Sequence, residues 1–197
     1  MEPGDGPRGI LLNHEQGYSI CSFLGIGEEL AARGYRELLP EYRNHGASEK
    51  TIDTAHVADR DARAGLAELK RLGAQRVLVG GASCGGTTAA IAGADSDLPV
   101  VGLFVVSSPA QCGGDGVAAV RKISSPSLFV VSPGDMNGAV EREVRSLHAA
   151  SAGVGKEFVI HNGGHHGTDM IRRDGARGNQ LQDRVLTFIE SAYARSE

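Results

Sequence analysis

The chain has 197 residues, 41% of them hydrophobic and 22% charged, with a formal net charge of −4. That balance is ordinary for a globular protein, and the absence of a basic excess argues against nucleic acid as a partner. No apolar run approaches the ~20 residues of a membrane span, so no membrane partner is expected. Residues 1–8 are polar and lack the charged-then-apolar build of a signal peptide. Three cysteines, Cys21, Cys84 and Cys112, are odd in number and scattered, so no disulfide framework is expected. Both features point to a reducing, cytoplasmic location. The length suits one domain over 9–197 behind a flexible lead-in at 1–8.

In chain order, residues 9–13 form a short apolar run of strand length, followed by a polar turn at 14–19. Phe23, Ile26 and Leu30 then recur at helical spacing, and Gly34 stops that helix. A strand is expected at 35–39, ended by Pro40, and a loop rich in Asn, His, Gly and Ser covers 41–51. Asp53 or Thr54 can cap the next helix, whose apolar stripe is Val57, Ala62, Leu66, Leu69 and Leu72, with Gly73 closing it.

Val77 to Val79 enter a glycine-dense corner, and a helix is expected to leave it from Thr87. The β-branched run at 99–106 reads as a strand covered on both faces. Residues 107–125 are loop-like with one short helix, and 127–131 form another strand ending in Ser132-Pro-Gly-Asp135. Val140, Val144 and Leu147 mark a helix, 157–160 a strand, and Leu181, Val185, Phe188, Ile189 and Ala192 a final amphipathic helix.

Six strands alternating with helices, joined by connections too long for hairpins, imply an α/β fold: a doubly wound, mostly parallel sheet with helices on both faces. In open sheets of this kind functional groups collect beyond the carboxyl ends of the strands. The third strand leads into Gly81-x-Ser83-x-Gly85, the pattern of a nucleophile elbow, where glycines permit close approach of strand and helix. With 28 glycines and 15 serines, chance alone supplies about 0.3 such patterns, so the motif needs context.

Context comes from the later strand ends. Asp135 follows the fifth strand and His166 the sixth, giving the order Ser, Asp, His used by hydrolases of this architecture. Asp169 is an alternative acid and His165 an alternative base, while His161, His165, His166 and Asp169 could be imagined as metal ligands. A phosphate loop is excluded because Thr87 stands where its lysine is required, and a dinucleotide fingerprint because Ala82 replaces a glycine. Arg43 and His45 read as structural loop contacts, and Cys21 and Cys112 as small buried hydrophobes.

From about Gly9 to Ala192 the chain resembles the α/β-hydrolases, and within them the small lidless carboxylesterases close to dienelactone-hydrolase-like proteins. The resemblance rests on the passage from Ala67 through the elbow to Thr87, on Leu30-Ala-Ala-Arg-Gly-Tyr35 with Arg43-Asn-His-Gly-Ala-Ser48, and on Gly164-His-His-Gly-Thr-Asp169. It implies a serine hydrolase without metal or organic cofactor. Ser83 would attack a carbonyl, His166 would take its proton, and Asp135 would orient the imidazole. The backbone N–H groups of Cys84 and Gln16 would form the oxyanion hole.

One departure from the family pattern is Glu15, which stands in Asn13-His14-Glu15-Gln16 where relatives carry glycine and so restricts that backbone. The short 107–126 segment implies an open site for small acyl esters, thioesters or amides. The contrasting expectation is a silent hydrolase-fold protein that binds a ligand or partner.

Overall fold

The computed structural model describes residues 7–52 and 58–196. Six strands, β1 (Arg8–Asn13), β2 (Arg36–Leu38), β3 (Arg76–Ala82), β4 (Val100–Val106), β5 (Ser127–Val131) and β6 (Glu157–Ile160), lie in the order β2-β1-β3-β4-β5-β6. Every pairing between them is parallel. The connecting helices are α1 (Leu24–Ala32), α2 (Ala58–Arg71), α3 (Cys84–Ala94), α4 (Gly116–Val120), α5 (Ala139–Ala150), α6 (Asp169–Arg172) and α7 (Gly175–Ala194).

Successive side chains of a strand point to opposite faces, and the strands divide their apolar residues accordingly. Ile10, Leu12, Leu78, Phe104 and Leu128 pack with α1 and α7, while Leu11, Val77, Val79, Leu103 and Phe129 pack with α2, α3 and α5. This double covering explains why the central strands are almost continuously apolar. On α2, Ala62, Leu66 and Leu69 turn inward at helical spacing, and Leu69 is fully buried. Truncating such a leucine to alanine costs about 2–5 kcal/mol.

After β1 the chain builds β2 on one side, then returns to place β3 on the other. Connections therefore diverge beyond the carboxyl ends of β1 and β3, which opens a crevice there. Both the loop beginning at His14 and the serine at position 83 border it.

Some expectations need adjustment. β3 continues through Gly80, Gly81 and Ala82, and the Phe104 ring fills the space beside Gly80 that a side chain would need. The helix after the corner starts at Cys84, three residues before Thr87, and α7 starts at Gly175 rather than near Leu181. α6 spans one turn, too short for a periodic signature, and was not anticipated. The expected cap at Asp53 or Thr54, together with Val57, lies outside the described residues. The segment between β4 and β5 holds only the short α4, so the sheet carries no inserted helical lid there. No helix among the described residues is long and apolar enough to cross a membrane.

The cysteine reading is corrected. Cys84 and Cys112 form a disulfide, with Cα atoms 5.5 Å apart, and Cys21 is exposed. Spacing along the chain could not reveal this pair, since the loop after β4 folds back over the start of α3. Nor is Cys112 a buried hydrophobe, because it is only half-buried.

At the opposite end of the sheet Tyr193 of α7 is buried against β1 and β3. Its hydroxyl accepts from the Leu78 N–H at 3.1 Å and donates to the Gly9 carbonyl. One side chain thereby bonds to two backbone groups, one on each of the paired strands β1 and β3.

Candidate active site

Ser83 occupies the turn between β3 and α3 with φ 51° and ψ −131°, a conformation that costs a residue with a side chain about 1–3 kcal/mol. Surrounding structure holds it there. The Ser83 N–H donates to the Val106 carbonyl at 2.8 Å, tying the turn to β4. A Cβ at Gly81 would lie 2.5 Å from the Asn13 carbonyl oxygen, and one at Gly85 would lie 2.5 Å from that of His14. Glycines at both positions let the elbow press against the loop after β1, so turn and loop are set by the same contacts.

The N–H of Cys84 is among the first four of α3, which have no carbonyl one turn earlier to bind. These groups and the helix dipole present partial positive charge beside Ser83. Facing them is Gln16, which is exposed and shares a cleft of about 450 Å³ with Ser83, Cys84, Pro109, Gln111, Cys112, Gly113 and Gly114.

The Gln16 loop is braced from behind by two imidazoles. His14 is buried; its Nδ1–H donates to the Glu15 carbonyl at 2.8 Å, and its Nε2 accepts from the Tyr42 N–H at 3.2 Å. Burial lowers the His14 pKa below the ordinary imidazole value, in keeping with this neutral tautomer. His45 repeats the pattern: its Nδ1–H donates to the Arg43 carbonyl at 3.0 Å and its Nε2 accepts from the Gly17 N–H at 3.2 Å. Arg43 in turn grips the Asp61 carboxylate, with an Nη2 contact of 2.6 Å. Arg43 and His45 thus make the loop contacts anticipated for them.

Glu15 does more than the sequence suggested. The left-handed backbone of this loop falls at Gly17, with φ 82°, and not at Glu15, so the side chain at 15 imposes no such strain. The Glu15 carboxylate is 2% exposed and accepts from the Thr168 N–H at 2.5 Å and from its hydroxyl at 2.7 Å. A bond across 153 residues thereby ties the Gln16 loop to the segment two residues past His166. Composition and spacing carried no signal for it.

Asp135 is 7% exposed, and its carboxylate receives His166 Nδ1 at 2.9 and 3.1 Å. The hydrogen bond to Asp135 raises the His166 pKa above the ordinary value against the opposing effect of burial, and the charges of Asp135, Glu15 and Asp169 add to the rise. His165 instead contributes its carbonyl, which accepts from Ser132 Oγ at 2.8 Å. Asp169 accepts from the Tyr18 hydroxyl at 3.1 Å and pairs with Arg173 at 3.2 Å, while His161 pairs with Asp174 at 2.8 Å. Among the described residues no three His, Cys, Asp or Glu converge as metal ligands.

Of the five residues singled out, Asp135 and His166 are in direct contact, and Ser83, Cys84 and Gln16 line one cleft. The Ser83 hydroxyl makes no hydrogen bond to His166 in this structure. Such contacts are commonly long before substrate binds.

The sequence matches the family model for the alpha/beta hydrolase fold over residues 9–126. No curated protein matches it. Among solved structures, a monoacylglycerol lipase of Paleococcus ferrophilus is similar at TM-score 0.76 and 14% identity, over 96% of this chain and 96% of that one. A Pyrococcus furiosus esterase is similar at TM-score 0.78 and 15% identity, over 97% and 84% of the two chains. An esterase of Exiguobacterium antarcticum is similar at TM-score 0.74 and 13% identity, over 95% and 93%. At these identities the likeness is one of fold.

Proposed function

Because the chain belongs to the α/β-hydrolase fold family, we propose that it is a serine hydrolase that cleaves small carboxylic esters through an acyl-serine intermediate. The observation that carries this reading is the pairing of a strained Ser83 at the start of α3 with the Asp135–His166 hydrogen bond at neighbouring strand ends. Fold alone would not suffice, since one fold hosts many functions.

A serine hydroxyl is a weak nucleophile near neutral pH, so it needs a base at the moment of attack. With Nδ1–H held by Asp135, His166 presents Nε2 as that base, and the buried carboxylate stabilises the imidazolium that forms. Ser83 Oγ adds to the ester carbonyl, and the developing oxyanion accepts from the N–H groups of Cys84 and Gln16. Each such donor is worth about 10²–10³ in kcat. His166 then protonates the departing alcohol, and water activated by the same ring releases the acid. The open cleft beside Ser83, without a helical lid, favours short acyl groups; thioesters and amides of the same size follow the same course.

The wild-type chain is expected to hydrolyse an activated acetyl ester, and Ser83→Ala to lose that activity. Unchanged turnover in the variant overturns the mechanism. A silent binding protein is the second reading, favoured by the missing Ser83–His166 hydrogen bond. A serine-directed phosphonate separates the two: stoichiometric labelling at Ser83 requires an activated hydroxyl, and a passive binder stays unlabelled.

A further inference from the structure

The segment between β4 and α4 is anchored at its two ends and weakly between them. At one end the Ala110 N–H donates to Glu143 Oε2 at 2.7 Å, and the Thr87 hydroxyl donates to the Pro109 carbonyl. At the other the Gly116 N–H returns to the Ala110 carbonyl at 2.9 Å, and Asp115 caps α4 through the Ala118 N–H at 3.0 Å. Between these anchors residues 111–114 are exposed except for half-buried Cys112, and Gly113 lies in the left-handed region at φ 68°. The tip closes on itself through the Gln111–Asp115 bridge and a 3.3 Å bond from the Cys112 N–H to the Gly114 carbonyl. Its covalent tie to the rest of the molecule is the bond from Cys112 to Cys84.

The two ends of that bond differ in freedom. Cys84 opens α3 beside the fixed elbow and is buried, whereas Cys112 rides on the tip. Five of the eight residues lining the cleft at Ser83 belong to this one segment. The disulfide therefore fixes a wall of the cleft to the residue that follows the nucleophile.

We propose that the Cys84–Cys112 disulfide sets the acyl size accepted at Ser83 and is itself a thiol–disulfide exchange site, so that a dithiol reductant widens the cleft. This rests on the serine-hydrolase reading of the same cleft. A reductant thiolate attacks Sγ of the more accessible Cys112, the S–S bond breaks, and Cys84 leaves as thiolate. The second reductant thiol displaces Cys112 from the mixed disulfide, and the dithiol departs as a cyclic disulfide. Two electrons and two protons pass to the protein, which ends with two thiols. Residues 111–114 are then held by their end anchors alone, and the wall yields to larger acyl groups.

The test compares the full chain before and after dithiothreitol on activated acetyl and octanoyl esters. The oxidised protein, denatured without reductant, is expected to titrate one thiol, that of Cys21, and the reduced protein three. The octanoyl-to-acetyl ratio of kcat/KM is expected to rise about tenfold on reduction, the scale of hydrophobic-pocket discrimination. Cys112→Ser should show the raised ratio in both states, and Cys21→Ser should respond as wild type does. Three thiols without reductant, or an identical ratio in both states, overturns the proposal. Should neither state hydrolyse acetyl ester, the serine-hydrolase reading fails separately. Hydrogen exchange at the Cys112 amide, with the Gly116 anchor as internal reference, then decides this proposal: faster exchange at Cys112 on reduction supports it, and unchanged exchange there overturns it.

Discussion

The two walls of the cleft are built by opposite means. On one side, Asn13 to Gly17 and the elbow at Ser83 are over-determined, pressed together at Gly81 and Gly85 and braced by His14, His45 and Glu15. On the other, residues 111–114 form a glycine-containing tip tied back through the Cys84–Cys112 bond. The difference teaches where exactness is needed. In the proposed mechanism, groups that meet developing charge must be held before substrate arrives, whereas a wall that would only touch the acyl chain can be soft.

Substitutions that break the rigid side should have the largest effects. Asp135→Asn removes the carboxylate that fixes the His166 tautomer, and kcat for acetyl ester is expected to fall about 10⁴-fold. Its pH profile adds a sign. In the proposed mechanism catalysis needs neutral His166, and the hydrogen bond to Asp135 raises the His166 pKa. The acid limb of kcat/KM in wild type should therefore lie above the usual imidazole range, with activity lost as pH falls through it. In Asp135→Asn that limb should move to lower pH; a limb that stays in place would separate His166 from the observed titration.

Gly85→Ala comes next. The added carbon would meet the Asn13 and His14 carbonyls, which are backbone and cannot swing aside. A destabilisation of about 1–3 kcal/mol or more is expected in denaturant unfolding. About 10²-fold should be lost in kcat/KM, because the elbow and the Gln16 loop, the proposed oxyanion donors, are displaced together.

Glu15 yields a smaller effect that sharpens the comparison. In Glu15→Gln the amide oxygen still accepts from Thr168 while the charge that raises the His166 pKa is gone. The acid limb should shift downward by less than in Asp135→Asn, with stability nearly kept. Glu15→Ala should show the same shift and also lose about 1–3 kcal/mol, since Thr168 is left without its partner. If both variants keep the wild-type profile, Glu15 acts only as a structural tie.

The smallest effect is expected on the soft side. At Gly114 an added carbon meets the Ile91 side-chain end at 3.0 Å, which can give way. Gly114→Ala should stay within about 0.5 kcal/mol of wild type in thermal unfolding. A large loss there would show that the tip is as fixed as the elbow.

The sequence carried much of this arrangement, for reasons that can be located. Runs such as Val100 to Val106 and Ser127 to Val131 are buried on both faces, so their composition alone announced strands. Parallel strands place their carboxyl ends together, so counting the series led to Asp135 and His166, which meet in a hydrogen bond, and to Ser83 just past the end of β3. Features that need the chain folded back on itself stayed hidden. Cys84 and Cys112 are 28 residues apart, and Glu15 and Thr168 are 153 apart, without a periodic or motif signature. At position 15 a glycine-based expectation pointed the wrong way, because the loop places its left-handed residue at Gly17. The start of α3 was misplaced because Gly85 and Gly86 look like loop residues, although they are buried helix whose missing side chains allow neighbours to approach.

Tyr193 bears on how the molecule assembles. Its hydroxyl bridges the Gly9 carbonyl and the Leu78 N–H, joining positions 184 and 115 residues away. Contacts of such separation form late, since the loop-closure entropy is spent before they return anything. The bridge that Tyr193 makes between β1 and β3, the pair that supports the elbow, therefore forms only when α7 docks. During synthesis the groove that receives this helix stays open until residues 175–194 have been made, which leaves that apolar face of the sheet uncovered until then.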